Sequence, residues 1–476
     1  MESQARFPQI SGIHVGVFNL NSDTKKSILE NFLHKDNLVY LAISAGFFLS
    51  LFVYWPGFLS TDASWQLKQA ISNTYTDGSP PMMAFYWRQW IWWKQGPEPM
   101  FLTHQLMLWG AAGIFARSFH GKKEAWFFAI APLLPHVFFY SSAIWKDSSF
   151  AFSFLLAAAL LTESTLSQIR PGWVRISAIL ALLFYGTGVK YQAQFVLPLF
   201  LLWLTSLLFT RGEKSFSIKS LCLVAILQTA ILTGLYLFQT VMLPSNEQEH
   251  MWQYVKLYDL AGISVQLNKS VFPPTVEEKD TFSMTSVRNH YDPRRVDELI
   301  DSKGPIRRGT TDATRQEILD AWYDAVQAHP LLYLKHRYMI WKTMVSLSPV
   351  KTLDELANPE RVPQKVKVLL NHGGKSILSI CKEITRFIYY MPFLIGYFLI
   401  GLVMRRKSPY AKPLVYMTGS GLVLMGVLFV FSMAADLRYI YLVMCLLSFS
   451  HIFAYKCLKI LFKNQTTAQN TLLPQI

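Results

Sequence analysis

Asp62 carries the strongest hint of chemistry in this chain. It stands in Tyr54-Trp-Pro-Gly-Phe-Leu-Ser-Thr-Asp-Ala-Ser-Trp-Gln66, just past a long apolar run. A carboxylate there gains nothing from lipid and little from packing. It can act as a general base toward a hydroxyl or amine. Asp147 follows another apolar run of the same direction, so the two acids are expected at one depth. Two carboxylates together can also hold a divalent cation that neutralises a leaving phosphate. Three short junctions add cations at the same level: Trp145-Lys146-Asp147, Lys190-Tyr191-Gln192 and Ala435-Asp436-Leu437-Arg438-Tyr439. Such a ring suits a phosphate or pyrophosphate, with arginine giving bidentate contacts and lysine a point charge.

Each of these residues also has a plainer reading. A cation at the end of a span can simply reach the headgroups. Asp62 can cap the helix that follows Ser60-Thr61. Asp147 can cap the next span or pair with Lys146. The first loop is dense in aromatics, including Trp65, Tyr75, Tyr86, Trp87, Trp90, Trp92 and Trp93. Tryptophan and tyrosine favour the bilayer interface, which accounts for most of them. Trp65 and Tyr75 are the two that could stack on a sugar. His104 and His136 lie inside apolar runs without zinc spacing and read as buried, hydrogen-bonded histidines. No Walker loop, strand-linked glycine fingerprint or GxSxG elbow is present, so no nucleotide site is recognisable.

The elements that must position these residues are membrane spans. The chain has 476 residues, 52% of them hydrophobic and 16% charged, with a positive mean hydropathy. That is the composition of an all-α polytopic membrane protein. Ten runs approach the length that crosses ~30 Å of hydrocarbon: 38-58, 100-119, 125-144, 148-162, 176-190, 193-210, 220-242, 386-404, 411-433 and 438-455. The first begins too late and runs too long for a signal-peptide core, so it is expected to remain as an anchor. With ten spans, the basic clusters all fall on one side: Lys25-Lys26, Lys122-Lys123, Arg170 with Arg175, Arg211 with Lys214, Arg405-Arg406-Lys407, and Lys456 with Lys459. The positive-inside rule then places both termini in the cytoplasm. The net charge of +15 reflects this topology and calls for no nucleic acid. Cys222, Cys381, Cys445 and Cys457 lie in or beside spans, and no structural disulfide is expected.

The organisation is therefore a cytoplasmic segment 1-37, a transmembrane module 38-242 with a first outer loop 59-99, an extracytoplasmic domain 243-385, C-terminal spans 386-455 and a cytoplasmic tail 456-476. Inside the domain, Thr314-Arg-Gln-Glu317 reads as a capping box, and Pro330 ends the helix it starts. Residues 331–342 mix cations with aromatics and read as a helix lying on the outer membrane face.

With these residues in view, the chain resembles the glycosyltransferase C superfamily, closest to bacterial branches of it. The matching pieces are Pro56-Gly57 with Ser60-Thr-Asp62, Tyr75 through Pro80-Pro81, Trp145-Lys-Asp147, Tyr258-Asp-Leu-Ala-Gly262, His329-Pro330 with Tyr333 and His336-Arg337, and Asp436-Leu-Arg-Tyr439. The resemblance implies transfer of a sugar from a polyprenyl-phosphate or polyprenyl-diphosphate carrier to a surface glycan, lipid or protein, at the outer face of the inner (cytoplasmic) membrane. It implies Asp62 as catalytic base or metal ligand, with Asp147 completing the site. It also implies Lys146, Lys190, Arg337 and Arg438, with Asp436, around the lipid phosphate. Some members need a divalent metal such as Mg or Mn, which Asp62 and Asp147 would hold here. Many relatives have a histidine before the proline of the first-loop turn; this chain has Ser79, which puts metal dependence in doubt. The rival class is a lipid-linked sugar flippase or transporter, which would place its charges near the middle of the spans. Here they gather at span ends.

Overall fold

A computed structural model describes residues 35–209, 218–242, 250–278, 280–300, 304–348 and 382–472. Among them the protein is all-helical, 76% helix with no strand. In chain order the principal helices are α1 (Lys35–Tyr54), α2 (Thr61–Ser72), α3 (Met82–Arg88), α4 (Glu98–Arg117), α5 (Ala125–Ile130), α6 (Pro135–Ser141), α7 (Lys146–Ser167), α8 (Trp173–Val189) and α9 (Ala193–Phe209). They continue with α10 (Ile218–Met242), α11 (Trp252–Leu267), α12 (Met284–His290), α13 (Asp297–Ile300), α14 (Asp312–Ala328), α15 (Pro330–Ser346), α16 (Met391–Met404), α17 (Ala411–Phe431) and α18 (Tyr441–Leu472).

Among the described residues, six stretches of helix are long and apolar enough to cross a membrane: Asn37–Tyr54, Lys146–Ser167, Ile218–Met242, Phe387–Met404, Ala411–Phe431 and Leu437–Lys463. This is a helical membrane protein. The apolar helices α8 and α9 are shorter, at 17 residues each. The run predicted at 125-144 is not one helix. It breaks into α5, a 3-10 turn at Ala131–Leu133, and α6. Pro132 and Pro135 lack the N–H a continuous helix needs, and Leu134, ahead of Pro135, leaves the helical region at ψ 134°.

α7 is the hub of the bundle. It packs on α4, α8, α9, α17 and α18. Its buried surface is built from Ser148, Ser149, Ala151, Ser153 and Ala157 to Ala159. Small side chains let neighbouring helices come close. The Ser149 hydroxyl is used: it bonds the His104 Nε2 at 2.6 Å and receives the Tyr185 hydroxyl at 3.2 Å. His136 Nε2 likewise meets Ser448 Oγ at 2.6 Å. Both histidines are thus buried hydrogen-bonding residues. Cys222, Cys445 and Cys457 are free thiols; Cys381 lies outside the described residues.

Within the predicted domain 243-385, helices α11 to α15 pack on one another, and α15 also packs on α17. Main-chain pairing joins this layer to the α17–α18 junction, where Ala435 N donates to Arg294 O at 2.8 Å. The capping box sits three residues ahead of the one expected. Thr311 accepts from Thr314 N at 3.2 Å, and the Thr314 hydroxyl receives Thr311 N at 3.1 Å. Glu317 instead receives the Thr275 hydroxyl. The helix does end before Pro330, and 331–342 is helical, as the pattern predicts. Much of the remainder, 349–381, falls outside the described residues, as do 1–34 of the N-terminal segment.

Candidate functional site

The site begins with a turn. Gly57 sits at φ +99°, where a side chain is strained, and a Cβ there would also meet the Phe101 side chain at 2.9 Å. The turn delivers Phe58 to the segment that enters α7. Phe58 N donates to Ser142 O at 2.8 Å, and Ile144 N donates to Phe58 O at 3.0 Å. This clamp sets α2, which carries Asp62, beside the start of α7, which carries Lys146 and Asp147. The cap of α2 is Ser60, whose hydroxyl accepts from Ala63 N at 3.3 Å. Asp62 is therefore not consumed by capping.

Asp62 turns instead to Arg438. Arg438 Nη1 meets Asp62 Oδ2 at 2.5 Å, and Arg438 Nε stands 3.0 Å from Asp436 Oδ2. Asp436 also accepts the backbone N–H of Arg438 at 3.0 Å. One arginine thus bridges an acid from its own turn and an acid from the far end of the sequence. Burial pushes the Asp62 carboxyl upward, but Arg438, Lys146 and Lys190 outweigh that and hold it below the usual carboxylate range. It is a carboxylate anion, 45% exposed.

The three cation-bearing junctions converge on this pair. A cavity of about 620 Å³ is lined by Asp62, Lys146, Lys190, Asp436 and Arg438. Lys146 donates to Ser79 Oγ at 3.0 Å. The residue in the histidine position is thus a cavity-lining hydroxyl bound to a lysine. Asp147 lies beneath the lining, buried and ion-paired to Lys190. Lys190 Nζ also stands 4.3 Å from the centre of the Tyr439 ring, a cation–π arrangement that holds its head in place. Arg294, Arg295 and Asp297 complete the charged lining. Five cations and three carboxylates line the cavity; of the cations, Lys190 is paired with the buried Asp147 and Arg295 with Glu298.

Three expected site residues lie elsewhere. Trp65 is 48% exposed and outside the cavity lining. Tyr75 is buried, with its hydroxyl donated to Asn73 Oδ1 at 3.2 Å. Arg337 is buried and away from the lining. Its Nη2 donates to Asp259 Oδ2 and its Nη1 to Ser432 O, both at 2.7 Å. Trp322 Nε1 donates to the same carboxylate at 2.8 Å, and His336 Nδ1 shares a 2.7 Å bond with the Tyr291 hydroxyl. The pieces around Tyr258–Gly262 and His336-Arg337 therefore form a polar core under the site. Of the aromatic belt, Trp92 is exposed, whereas Trp87 is buried with its Nε1 donated to Gly96 O at 3.0 Å.

Sequence reasoning passed over Arg294 and Arg295. Their signal was the run Asp292-Pro-Arg-Arg295, a cation pair directly after a proline turn. Among the described residues, no three His, Cys, Asp or Glu side chains gather to hold a metal. Asp62 is paired with Arg438 and Asp147 with Lys190. Neither a protein-family model, nor a curated protein, nor a solved structure matches this chain.

Proposed function

We propose that the protein is a membrane glycosyltransferase, moving a sugar from a polyprenyl-phosphate carrier to a glycan, lipid or protein acceptor outside the cytoplasmic membrane. The observation that carries this reading is the Asp62–Arg438 pair set in a cation-rich cavity at helix ends. A lipid-borne phosphate needs cations at headgroup depth, and a transfer needs a base beside them. Ten spans follow if α4, the broken α5–α6 segment, α8 and α9 cross along with the six long helices. Both termini are then cytoplasmic, and the cavity faces outward.

In the proposed reaction, the acceptor oxygen attacks the anomeric carbon and forms the new glycosidic bond. The bond from that carbon to the phosphate oxygen breaks, and polyprenyl phosphate leaves with the electron pair. The acceptor proton passes to Asp62. Arg438, Lys146 and Lys190 stabilise the charge that grows on the leaving phosphate. A donor phosphate that engages Arg438 also draws it from Asp62 and so raises the basicity of the carboxylate when substrate is present. Asp147 acts as a positioning residue for Lys190.

The test is mass spectrometry of surface polysaccharide, lipid and protein glycans from a deletion strain carrying wild type or Asp62→Asn at equal membrane abundance. One sugar mass missing only with the variant supports transfer. Unchanged glycans in both the variant and the full deletion refute it. Movement of a lipid-linked sugar across liposomes without a new glycosidic bond would place the protein among transporters.

A further inference from the structure

The turn between α17 and α18, which carries Asp436 and Arg438, is held from outside at two points. Arg337 Nη1 donates to Ser432 O at 2.7 Å, and Ala435 N donates to Arg294 O at 2.8 Å. Between them, Ser432 Oγ donates to Ala434 O at 2.6 Å. Little slack is left before Asp436, which accepts Arg438 N at 3.0 Å. Both holds run back to α11 and α15. Arg337, on α15, is fixed by Asp259 of α11, which also accepts Trp322 Nε1. Arg294 N is held at 2.8 Å by the Asp292 carboxylate, and the Asp292 carbonyl accepts the Tyr258 hydroxyl of α11 at 2.5 Å. Tyr291, next to Asp292 in the chain, shares its hydroxyl with His336 Nδ1 of α15. Apolar packing of similar volume often stabilises a protein as well as a buried ion pair does. What the Arg337 fork adds is geometry: one arm meets a carboxylate and the other a main-chain carbonyl, which fixes a direction as well as a distance.

We propose that Arg337 and Tyr258 are positioning residues for Arg438. They set the two ends of segment 432–435 and so fix where the guanidinium stands relative to Asp62, whose Oδ2 it meets at 2.5 Å. Neither residue lines the cavity. The assignment of a phosphate to the cavity rests on the reading above; the geometry of the turn does not. In that reading, α11 and α15 set the spacing between the base and the group that stabilises the leaving phosphate. A misplacement of about 1 Å there is enough to cost on the order of 10²-fold in rate.

The first measurement is the infrared carboxylate band of Asp62 in the full chain in neutral detergent, isolated as the difference between each protein and its Asp62→Asn counterpart. Arg337→Lys keeps the charge beside Asp259 but loses the fork. Tyr258→Phe removes one hydroxyl and keeps the ring, so it serves where the lysine variant fails to fold. Each band is expected to shift toward that of Arg438→Gln. The second measurement is dodecyl phosphate binding by native mass spectrometry. Arg337→Lys should weaken it on the order of tenfold, and by less than about twofold once Arg438 is already Gln. A general loss of stability would weaken both backgrounds alike. Wild-type band positions in both variants overturn the positioning role. Where Arg438→Gln itself weakens binding, an equal effect of Arg337→Lys in both backgrounds also overturns it. If the bands shift as expected while Arg438→Gln leaves dodecyl phosphate binding unchanged, the positioning role stands and the phosphate reading of the cavity fails.

Discussion

Arg337 never touches the cavity, yet it donates to the Ser432 carbonyl at 2.7 Å, four residues before Asp436. Its other nitrogen holds Asp259, and the two side chains are 1% and 0% exposed. Breaking a buried pair from one side leaves a charge without compensation, at a cost of about 3–5 kcal/mol. Arg337→Met should therefore lower thermal stability sharply in detergent. The double variant with Asp259→Asn should recover part of the loss. Equal unfolding temperatures for the single and double variants would mean that the pair is not coupled.

Asp62→Asn keeps size and leaves the Ser60 cap in place. It removes the base and the partner of Arg438. The proposed transfer should fall by ~10²–10⁴-fold, the usual contribution of general acid–base catalysis. Unfolding temperature should change little, because the carboxylate is nearly half exposed. Near-normal turnover would remove Asp62 from the reaction.

Arg438 reaches two acids with one planar group, which lysine does not reproduce. Arg438→Gln should cost on the order of 10²–10³ in turnover, the scale of losing one electrostatic donor. Arg438→Lys should fall between wild type and Gln. A lysine variant as active as wild type would show that charge alone suffices at this position.

The Asp62 carboxyl is held below its unfolded value, so its pairing contributes above the unfolded pKa of about 3.9 and is lost as pH falls through the folded value. The ion pair should persist at pH 5. Infrared difference spectra between wild type and Asp62→Asn check this directly. A protonated-carboxyl band assigned to Asp62 at pH 6, without substrate, would contradict the electrostatic picture.

Gly262 lets α11 and α15 touch. A Cβ built there would fall 2.0 Å from His336 Nδ1, the atom that bonds the Tyr291 hydroxyl. Gly262→Ala should cost about 1–3 kcal/mol through overpacking. The loss should shrink in a His336→Ala background. An unchanged unfolding temperature would show that the helices separate freely.

The ends of helices were legible because charge at the edge of an apolar run is a local signal. That is why Asp62, Lys146, Lys190, Asp436 and Arg438, which line one cavity, stand out in the sequence. What each acid pairs with was not legible. Asp147 stands next to Lys146 in sequence but pairs with Lys190, because Lys146 turns to Ser79. Arg337 looked like a surface cation on a mixed helix, and only the packing of α11 and α17 against α15 reveals its buried partners. The broken span at 125-144 was written in Pro132 and Pro135, but hydropathy is blind to a missing N–H.

The Arg438–Asp62 contact joins residues 376 positions apart. Asp62 leaves the ribosome early, and its guanidinium partner follows only after nearly the whole protein has been synthesised. Until α17 and α18 are in place, the acidic half of the site has no Arg438 beside it. The Asp62–Arg438 pair can therefore form only once the segment between α17 and α18 has been made. Two separately produced fragments, split between α10 and α11, would each lack part of the site, and only their reunion would restore it.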